Sequence, residues 1–190
     1  VLRLNLCYIR DMNIFVTHPH PVQSAMNLPD KHVVKMPLET VQMLSIIYSP
    51  WYYDSGVLHR ANGEPYKTER GAFRNHPCTI WAADNKYNLA WLIFHGYALC
   101  YEYEYRYGKA HACYKPLIEA ELIYESMYPD DTVYDAWEKH TEFTRAMPEH
   151  IKFDTSISSI TAYKIYLNTK GWVSSNYLRK PSRKPPFILP

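Results

Sequence analysis

Four polar residues recur at helical spacing between positions 31 and 42, and they form the first group that could do chemistry. Lys31, Lys35, Glu39 and Gln42 fall within about an 80° stripe of one predicted helix, and His32 lies beside them. A carboxylate next to two ammonium groups suits general acid–base work or the binding of a phosphate-bearing substrate. The alternative is a solvated helix face, because Lys35 and Glu39 have the (i, i+4) spacing of an ordinary surface ion pair.

A second group stands immediately before another predicted helix, where His76 and Pro77 are followed by Trp81. Helix N-termini present unpaired N–H groups and favour anions such as phosphate. His76 and Trp81 beside such a point would suit a nucleotide or an extruded base. The alternative interpretation is that Trp81 is buried under the turn as part of the core.

The elements His76-x-Cys78 and His111-x-Cys113 contain the ligand types of a zinc site with two histidines and two cysteines. Their spacing differs from the usual compact zinc patterns, so buried thiols that behave as small apolar side chains are the preferred interpretation. The sequence contains no nucleotide-binding glycine motif, no zinc-protease motif and no serine-hydrolase elbow. We therefore expect no metal ion and no cofactor.

Basic and aromatic residues alternate near the C-terminus and form a third group. Its members are Tyr163, Lys164, Tyr166, Lys170, Trp172 and Tyr177. Four further basic residues and no acidic residue occur in the segment 173–190 that follows. This pattern suits contact with a nucleic-acid backbone together with base stacking. An amphipathic final helix with a solvated tail is the alternative.

Composition and charge limit the class of protein. A chain of 190 residues of which 47% are hydrophobic suits one globular domain. The net charge of +2 is low for a protein that binds polyanions over its whole surface, so any DNA contact must come from local patches. Four cysteines without a compact framework indicate reduced thiols in the cytoplasm. No apolar run reaches the roughly 18 residues that a membrane span requires.

Hydrophobic periodicity predicts a mainly α, compact single-domain helical bundle with a short N-terminal extended segment. Helices are predicted at residues 22–28, 30–48, 85–107, 116–126, 131–146 and 157–170, and the extended segment at residues 12–17. Turn residues predict a long loop at residues 49–75. We expect residues 12–172 to form the domain, residues 173–190 a basic flexible tail, and residues 1–11 a non-native or flexible extension before Met12.

The helix predicted at residues 30–48 is central because it carries the polar stripe. Asp30 suits its N-cap, and Pro37 should kink it or begin its second half. The spacing predicts one broad apolar face, formed by Val33, Val34, Leu38, Val41, Leu44 and Tyr48.

Four motifs, in this order, resemble a group of small uncharacterised proteins of tailed phages. They are MNIFV from Met12, DKHVVKMPLE from Asp30, HPCTIW from His76, and YGKAH from Tyr107. The same order is more distantly similar to the pyrimidine-dimer DNA glycosylase/AP-lyase family of T-even phage and its bacterial relatives. Those proteins are small and helical, and their first long helix carries an Asp-Gln-His-Leu run followed by a glutamate. Asp30, His32, Val33 and Glu39 fall at matching spacing.

In that family the α-amine of the chain attacks C1′ of a damaged nucleotide, and the helix glutamate assists. The resemblance implies that Glu39 is the catalytic carboxylate, that His32 and Lys31 line the site, and that the nucleophile is the amine of the mature N-terminus at Met12. Lys35 is the alternative amine. An α-amine suits this role because its pKa near 8 leaves more of it neutral than the pKa of about 10.4 leaves of a lysine.

The sequence departs from the family pattern beside the glutamate, since Leu38 and Gln42 stand where the family has arginines and Pro37 is unexpected. With Lys31, the residues expected to contact DNA are Gln42, His76, Trp81, Tyr163, Lys164, Lys170 and Trp172.

We therefore expect a DNA repair or modification enzyme that acts on a damaged or modified base or an abasic site, in the cytoplasm of an infected host cell. One alternative is a non-catalytic phage accessory protein that binds nucleic acid or a host protein. The other is an enzyme acting on free nucleotides, which predicts a closed pocket near His76 and Trp81 and no basic groove. The sequence carries no signal for an oligomeric state.

Overall fold

Eight α-helices make up about half of the computed structural model, which describes residues 12–190. The extension expected at residues 1–11 lies outside that range. The helices are α1 Pro21–Met26, α2 Asp30–Tyr48, α3 Pro77–Asp84, α4 Lys86–Tyr107, α5 Tyr114–Met127, α6 Val133–Ala136, α7 Glu149–Lys152 and α8 Ser159–Asn168. No strand occurs among the described residues, so the mainly α fold class is confirmed. None of these helices has the length and apolar character needed to cross a membrane.

Helix α4 is the central element, since α1, α2, α3, α5 and α6 all pack against it. It begins where the Asn85 side chain accepts two backbone N–H groups, and it ends at Gly108, whose φ of 68° ends a helix without strain. At Gly96 the helix approaches its neighbours closely. A Cβ there would lie 2.8 Å from a methyl carbon of Leu117 and 2.9 Å from one of Thr40. The bundle is therefore tightest where α2, α4 and α5 meet.

Helix α2 begins and ends at the predicted residues, with differences in detail. The N-cap position is Pro29, and Asp30 is the first helical residue. The helix continues through Pro37. Of the predicted apolar face, Val34 and Leu38 are exposed. Because α3, α4 and α5 all pack on α2, the buried face of the helix is wider than predicted and includes Glu39 of the polar stripe.

Residues 131–146, predicted to be one helix, form only α6 and a single 3-10 turn before the chain becomes extended. Here side chains of α4 and α8 form hydrogen bonds with backbone groups that would bond to each other within a helix. The amide of Thr141 donates to the Asn88 side chain at 2.8 Å, and the Phe143 carbonyl accepts from the Ser159 hydroxyl at 2.7 Å. These long-range partners have no signal in the local sequence.

Residues 173–190 pack against the body of the protein, which differs from the flexible tail expected from their composition. Val173, Tyr177 and Ile188 are buried. The carboxylate of Asp30 accepts the backbone N–H groups of Leu178 at 2.8 Å and Arg179 at 3.0 Å. The acidic groups that hold this segment lie far away in the sequence, so its own basic composition gives no indication of the packing.

A buried ion network lies under that segment. The Arg106 guanidinium, which has no exposed surface, is 3.0 Å from Asp30 and 2.8 Å from Glu102. It also donates to the carbonyl oxygens of Leu28 and Met26 at 2.8 and 3.0 Å. One side chain therefore joins the α1–α2 connection, α2 and α4.

His95 makes the stability of the fold depend on pH. It is buried in α4 and stacks on Trp91 with ring centroids 4.6 Å apart. Burial lowers its pKa from 6.5 to about 3. Between those values the unfolded chain binds a proton that the folded chain excludes, so stability is lost as pH falls. We expect this residue to reduce the free energy of unfolding by about 2 kcal/mol between pH 7 and pH 5.

Urea unfolding at both pH values, on the wild type and on His95→Phe, measures this contribution. Phenylalanine keeps the stacking on Trp91 and removes the titrating group, so the variant should lose about 2 kcal/mol less than the wild type between the two pH values. Leu122→Ala, at an exposed residue of α5 that carries no titrating group, serves as the control and should show the wild-type pH dependence. An equal loss in His95→Phe and the wild type would exclude this origin.

Candidate functional site

The first described residues bring a backbone nitrogen to the carboxylate of α2. The backbone nitrogen of Asn13 lies 3.0 Å from Oε2 of Glu39, and both residues are buried. The Asn13 side chain fixes this geometry, because its amide nitrogen donates to the Ala146 carbonyl at 2.6 Å and its oxygen accepts the N–H of Ile14 at 2.8 Å. At Phe15 the backbone then takes a φ of 40°, which residues other than glycine rarely adopt. Residues 13–15 are therefore held beside Glu39 in a defined and strained backbone conformation.

The other oxygen of Glu39 contacts Lys35. The Nζ atom of Lys35 is 2.7 Å from Oε1 of Glu39, and the exposed fractions of the two side chains are 47% and 6%. The predicted (i, i+4) ion pair is therefore present. It does not lie wholly on a solvated face, because Glu39 is buried and Lys35 is exposed. The carboxylate sits between a buried backbone nitrogen and a cation that reaches solvent.

His32 forms an aromatic wall of the site. Its ring stacks on Phe15, with centroids 4.1 Å apart, and meets Trp172 edge-on at 5.4 Å. Burial, together with the nearby charges of Lys170 and Lys35, lowers the pKa of His32 to about 3. The imidazole is therefore neutral at pH 7, which suits a packing surface better than a proton donor.

Lysines and aromatic rings lie on the outer side of His32 and Phe15. Lys31 lies 4.6 Å from the centre of the Trp172 ring, and Lys170 lies 4.4 Å from that of Tyr166 and 5.6 Å from that of Phe15. We call the set Lys31, Lys35, Lys170, Phe15, Tyr166 and Trp172 the lysine–aromatic cluster. It brings residues of the predicted α2 stripe together with those of the predicted C-terminal group.

His76 links the start of α3 to the first described residues of the chain. Its Nδ1 accepts the N–H of Cys78 at 3.2 Å, which caps α3, and its ring also hydrogen-bonds to the backbone of Met12. Burial lowers the pKa of His76. Cys78 is fully buried and hydrogen-bonds to the Ile14 backbone and to the hydroxyl of Tyr163; burial raises its thiol pKa to about 12. These residues position the Met12–Ile14 backbone.

The two H-x-C elements lie in separate turns. His111 repeats the local bond of His76, because its Nδ1 accepts the N–H of Cys113 at 3.1 Å. Nowhere in residues 12–190 do three or more potential metal ligands come together. Each histidine therefore acts as a cap for the backbone that follows it.

Two of the residues predicted to bind DNA lie in the core. Trp81 packs against Trp91 and Phe143, and its indole N–H donates to the carbonyl of Glu142 at 3.0 Å. Tyr163 has no exposed surface, and its hydroxyl donates to the carbonyl of Thr144 at 2.9 Å. A ring enclosed in this way has no free face for a base, so the prediction is wrong for both residues.

The remaining predicted residues lie outside the lysine–aromatic cluster. Lys164 is half-buried, with Nζ 5.0 Å from the centre of the Phe187 ring. Gln42 lines a cavity of about 620 Å³ between α2 and the long loop. A smaller recess of about 310 Å³ is lined by residues 71 and 73–77, which include His76 but not Trp81. Neither of these two spaces is lined by both His76 and Trp81, as the free-nucleotide alternative would require.

Two parts of the site were not predicted from the sequence, namely the backbone nitrogen of Asn13 and the ring of Phe15. A backbone nitrogen has no residue-type signal. Phe15 belongs to the MNIFV motif, but spacing alone does not bring that motif next to the C-terminal group that contains Tyr166.

A family model described as pyrimidine dimer DNA glycosylase matches residues 12–115. The match begins at Met12 and includes Asn13, Lys35 and Glu39, whereas Lys170 and Trp172 lie beyond it. The resemblance stated from the motifs is thereby confirmed. No curated protein and no solved structure matches the chain.

Proposed function

The chain belongs to the pyrimidine dimer DNA glycosylase family, and from this premise we propose that it removes a damaged base from DNA and cleaves the strand at the resulting abasic site. The observation that carries this proposal is the 3.0 Å contact between the Asn13 backbone nitrogen and Glu39. An α-amine at that nitrogen would lie beside a buried carboxylate, next to the lysine–aromatic cluster.

In the proposed first step the α-amine attacks C1′ of the damaged nucleotide. A bond forms between the amine nitrogen and C1′, the glycosidic bond breaks, and the base leaves with the bonding electron pair. The amine must be neutral when it attacks, which the pKa of an α-amine allows near pH 8. Glu39 accepts the proton that the amine gives up. As the imine forms, the bond between C1′ and the ring oxygen breaks, and Glu39 returns its proton to that oxygen, which leaves the carboxylate ionised for the next step.

In the second step the imine acidifies C2′ of the opened sugar. Glu39 is the proposed base that takes the C2′ proton, and the electrons form a double bond to C3′ as the C3′–oxygen bond breaks. The phosphate leaves, and water then hydrolyses the imine to free the amine. Lys35, 2.7 Å from Glu39 and partly exposed, supplies positive charge for the departing phosphate.

The lysine–aromatic cluster is proposed to bind the DNA around this reaction. Lys31 and Lys170 provide cations for phosphates, and the partly exposed rings of Trp172 and Tyr166 provide surfaces for stacking. Chemistry at C1′ within a duplex requires a nucleotide to leave the stack, and an aromatic surface stabilises the extruded base.

The position of the amine can be tested with two defined N-termini. Protein beginning at Met12 and protein beginning at Asn13 are each released from a removable fusion partner and incubated with abasic duplex DNA and borohydride. Because the contact to Glu39 is made by the Asn13 nitrogen, we expect the adduct to form about 100-fold faster when Asn13 is the first residue.

Acetylation of the Asn13 amine is the control, and it should abolish trapping. An adduct that survives acetylation and disappears in Lys35→Gln would assign the imine to Lys35. If neither form gives an adduct with this duplex, and neither breaks a glycosidic bond in a duplex that contains a pyrimidine dimer, the glycosylase proposal fails. A non-catalytic accessory protein then becomes the better description.

A further inference from the structure

We propose that the C-terminal segment carries a phosphate-binding track, formed by Lys31, Arg179, Lys180 and Lys184, that continues the path of the DNA backbone beyond the lysine–aromatic cluster. This inference rests on the proposed function, because it assumes that the partner is DNA. Three of the four residues lie outside the part of the chain that the family model matches.

Residues 176–179 attach the segment to the start of α2, and the side chain of Arg179 takes no part in this attachment. The backbone N–H groups of Leu178 and Arg179 donate to the carboxylate of Asp30. Asn176 binds the start of α2 in the other direction. Its backbone carbonyl accepts the N–H of Asp30 and its side-chain oxygen accepts the N–H of Lys31, both at 2.8 Å. Tyr177 anchors the same stretch, since its hydroxyl donates to the Asn27 carbonyl at 2.7 Å. Arg179 itself is exposed.

Charge pairing beneath the segment leaves a net excess of cations. Asp30 and Glu102 are balanced by Arg106 and Arg183, since the Arg183 guanidinium lies 2.9 Å from Glu102. Residues 173–190 contain no acidic residue. The members of the track are therefore not the cations that neutralise these two buried carboxylates.

Two aromatic rings at the end of α4 support the track. Arg179 lies 5.0 Å from the centre of the Tyr107 ring, and Lys180 lies 4.5 Å from that of Tyr105. Cations held over aromatic rings lose less conformational freedom when they bind a ligand. The track is therefore partly ordered before DNA arrives.

Lys31 connects the track to the catalytic site. Its ammonium group lies over Trp172 in the lysine–aromatic cluster. Lys31 also lines, with Arg179 and Tyr107, a recess of about 290 Å³. Lys31 and Arg179 therefore share one recess, and Lys180 follows Arg179 along the end of α4. A DNA strand fits such a row, because its phosphates form a regular line of anions.

The test is the salt dependence of DNA binding. Dissociation constants are measured by fluorescence anisotropy over a range of KCl concentrations, with a labelled duplex containing a tetrahydrofuran abasic analogue. Each lost phosphate contact reduces the slope of log affinity against log salt by about 0.9, so the double variant Arg179→Gln/Lys180→Gln should show a slope smaller by about 1.8. Lys184→Gln should reduce it by about 0.9.

Lys139→Gln is the matched control, since Lys139 is an exposed lysine that lies near Tyr87 at the opposite end of α4. The rise per helical residue places Tyr87 about 27 Å along the axis from Tyr105. This variant should keep the wild-type slope. The charge-conserving double variant Arg179→Lys/Lys180→Arg should also keep it, which separates charge from packing.

The outcomes distinguish the two proposals. Wild-type protein without salt-dependent DNA binding would remove the proposed function and the track together. Wild-type binding with an unchanged slope in both the double variant and Lys184→Gln would overturn the track and leave the proposed function standing. If the double variant does not fold, Lys184→Gln alone decides, because its side chain makes a single hydrogen bond, to Ser174.

Discussion

Replacing Glu39 with glutamine is expected to reduce the turnover of abasic-site DNA by about 10²- to 10⁴-fold, the range typical of a positioned acid–base group. The glutamine oxygen can still accept the Asn13 N–H, so the turn over α2 should remain. What is lost is the carboxylate that we propose as the base for the C2′ proton. Single-turnover strand cleavage measures this step, and anisotropy on the uncleavable duplex shows whether binding is kept.

The matched control is Glu121→Gln. Its carboxylate also accepts one strong hydrogen bond, from the Tyr97 hydroxyl at 2.6 Å, but it lies on α5 away from the Glu39 site. Cleavage by this variant should equal that of the wild type. A Glu39→Gln protein that binds DNA normally and cleaves at the wild-type rate would refute the assigned role.

The largest stability effect is expected from Arg106→Ala, at about 3–5 kcal/mol of unfolding free energy. The substitution leaves the buried carboxylate of Asp30 without its cation and removes one of the two partners of Glu102. It also removes the donors to the carbonyls of Leu28 and Met26. For a protein of this size that loss corresponds to roughly 6–20 °C in melting temperature, measured by thermal and urea unfolding.

Arg60→Ala supplies the comparison for the same change of side chain at the surface. Arg60 pairs with Glu64 at 3.7 Å, and the exposed fractions of the two side chains are 47% and 67%. Such pairs contribute about 1 kcal/mol or less. If Arg106→Ala cost no more than Arg60→Ala, the buried network would not hold the C-terminal segment in the way described.

The helices that could be predicted are those whose signals are local. Helix α4 has an asparagine cap, a long periodic run and Gly108 at its end, and α2 has a comparable periodic pattern. Prediction failed where long-range partners decide the conformation. At residues 140–148 the bonds to Asn88 and Ser159 replace a helix, and at residues 173–190 the carboxylates of Asp30 and Glu102 hold a chain whose composition indicates mobility.

The candidate site was predictable to the extent that it rests on residue type and spacing. The α2 spacing identified Glu39, Lys35 and Lys31, and the C-terminal pattern identified Lys170 and Trp172. The prediction for Trp81 and Tyr163 is wrong because an aromatic residue has the same signature in a core as on a binding surface.

The packing of residues 173–190 on α2 has a consequence for the order in which the candidate site is assembled during synthesis. Asn13 and Glu39 are translated well before Leu178 and Arg179, which bind Asp30 and follow it by 148 and 149 residues. A nascent chain that already contains the Glu39 carboxylate still lacks Lys170 and Trp172. The proposed DNA-binding surface therefore forms only after the carboxylate is in place, and a shorter nascent chain has the proposed catalytic group without the proposed DNA contacts.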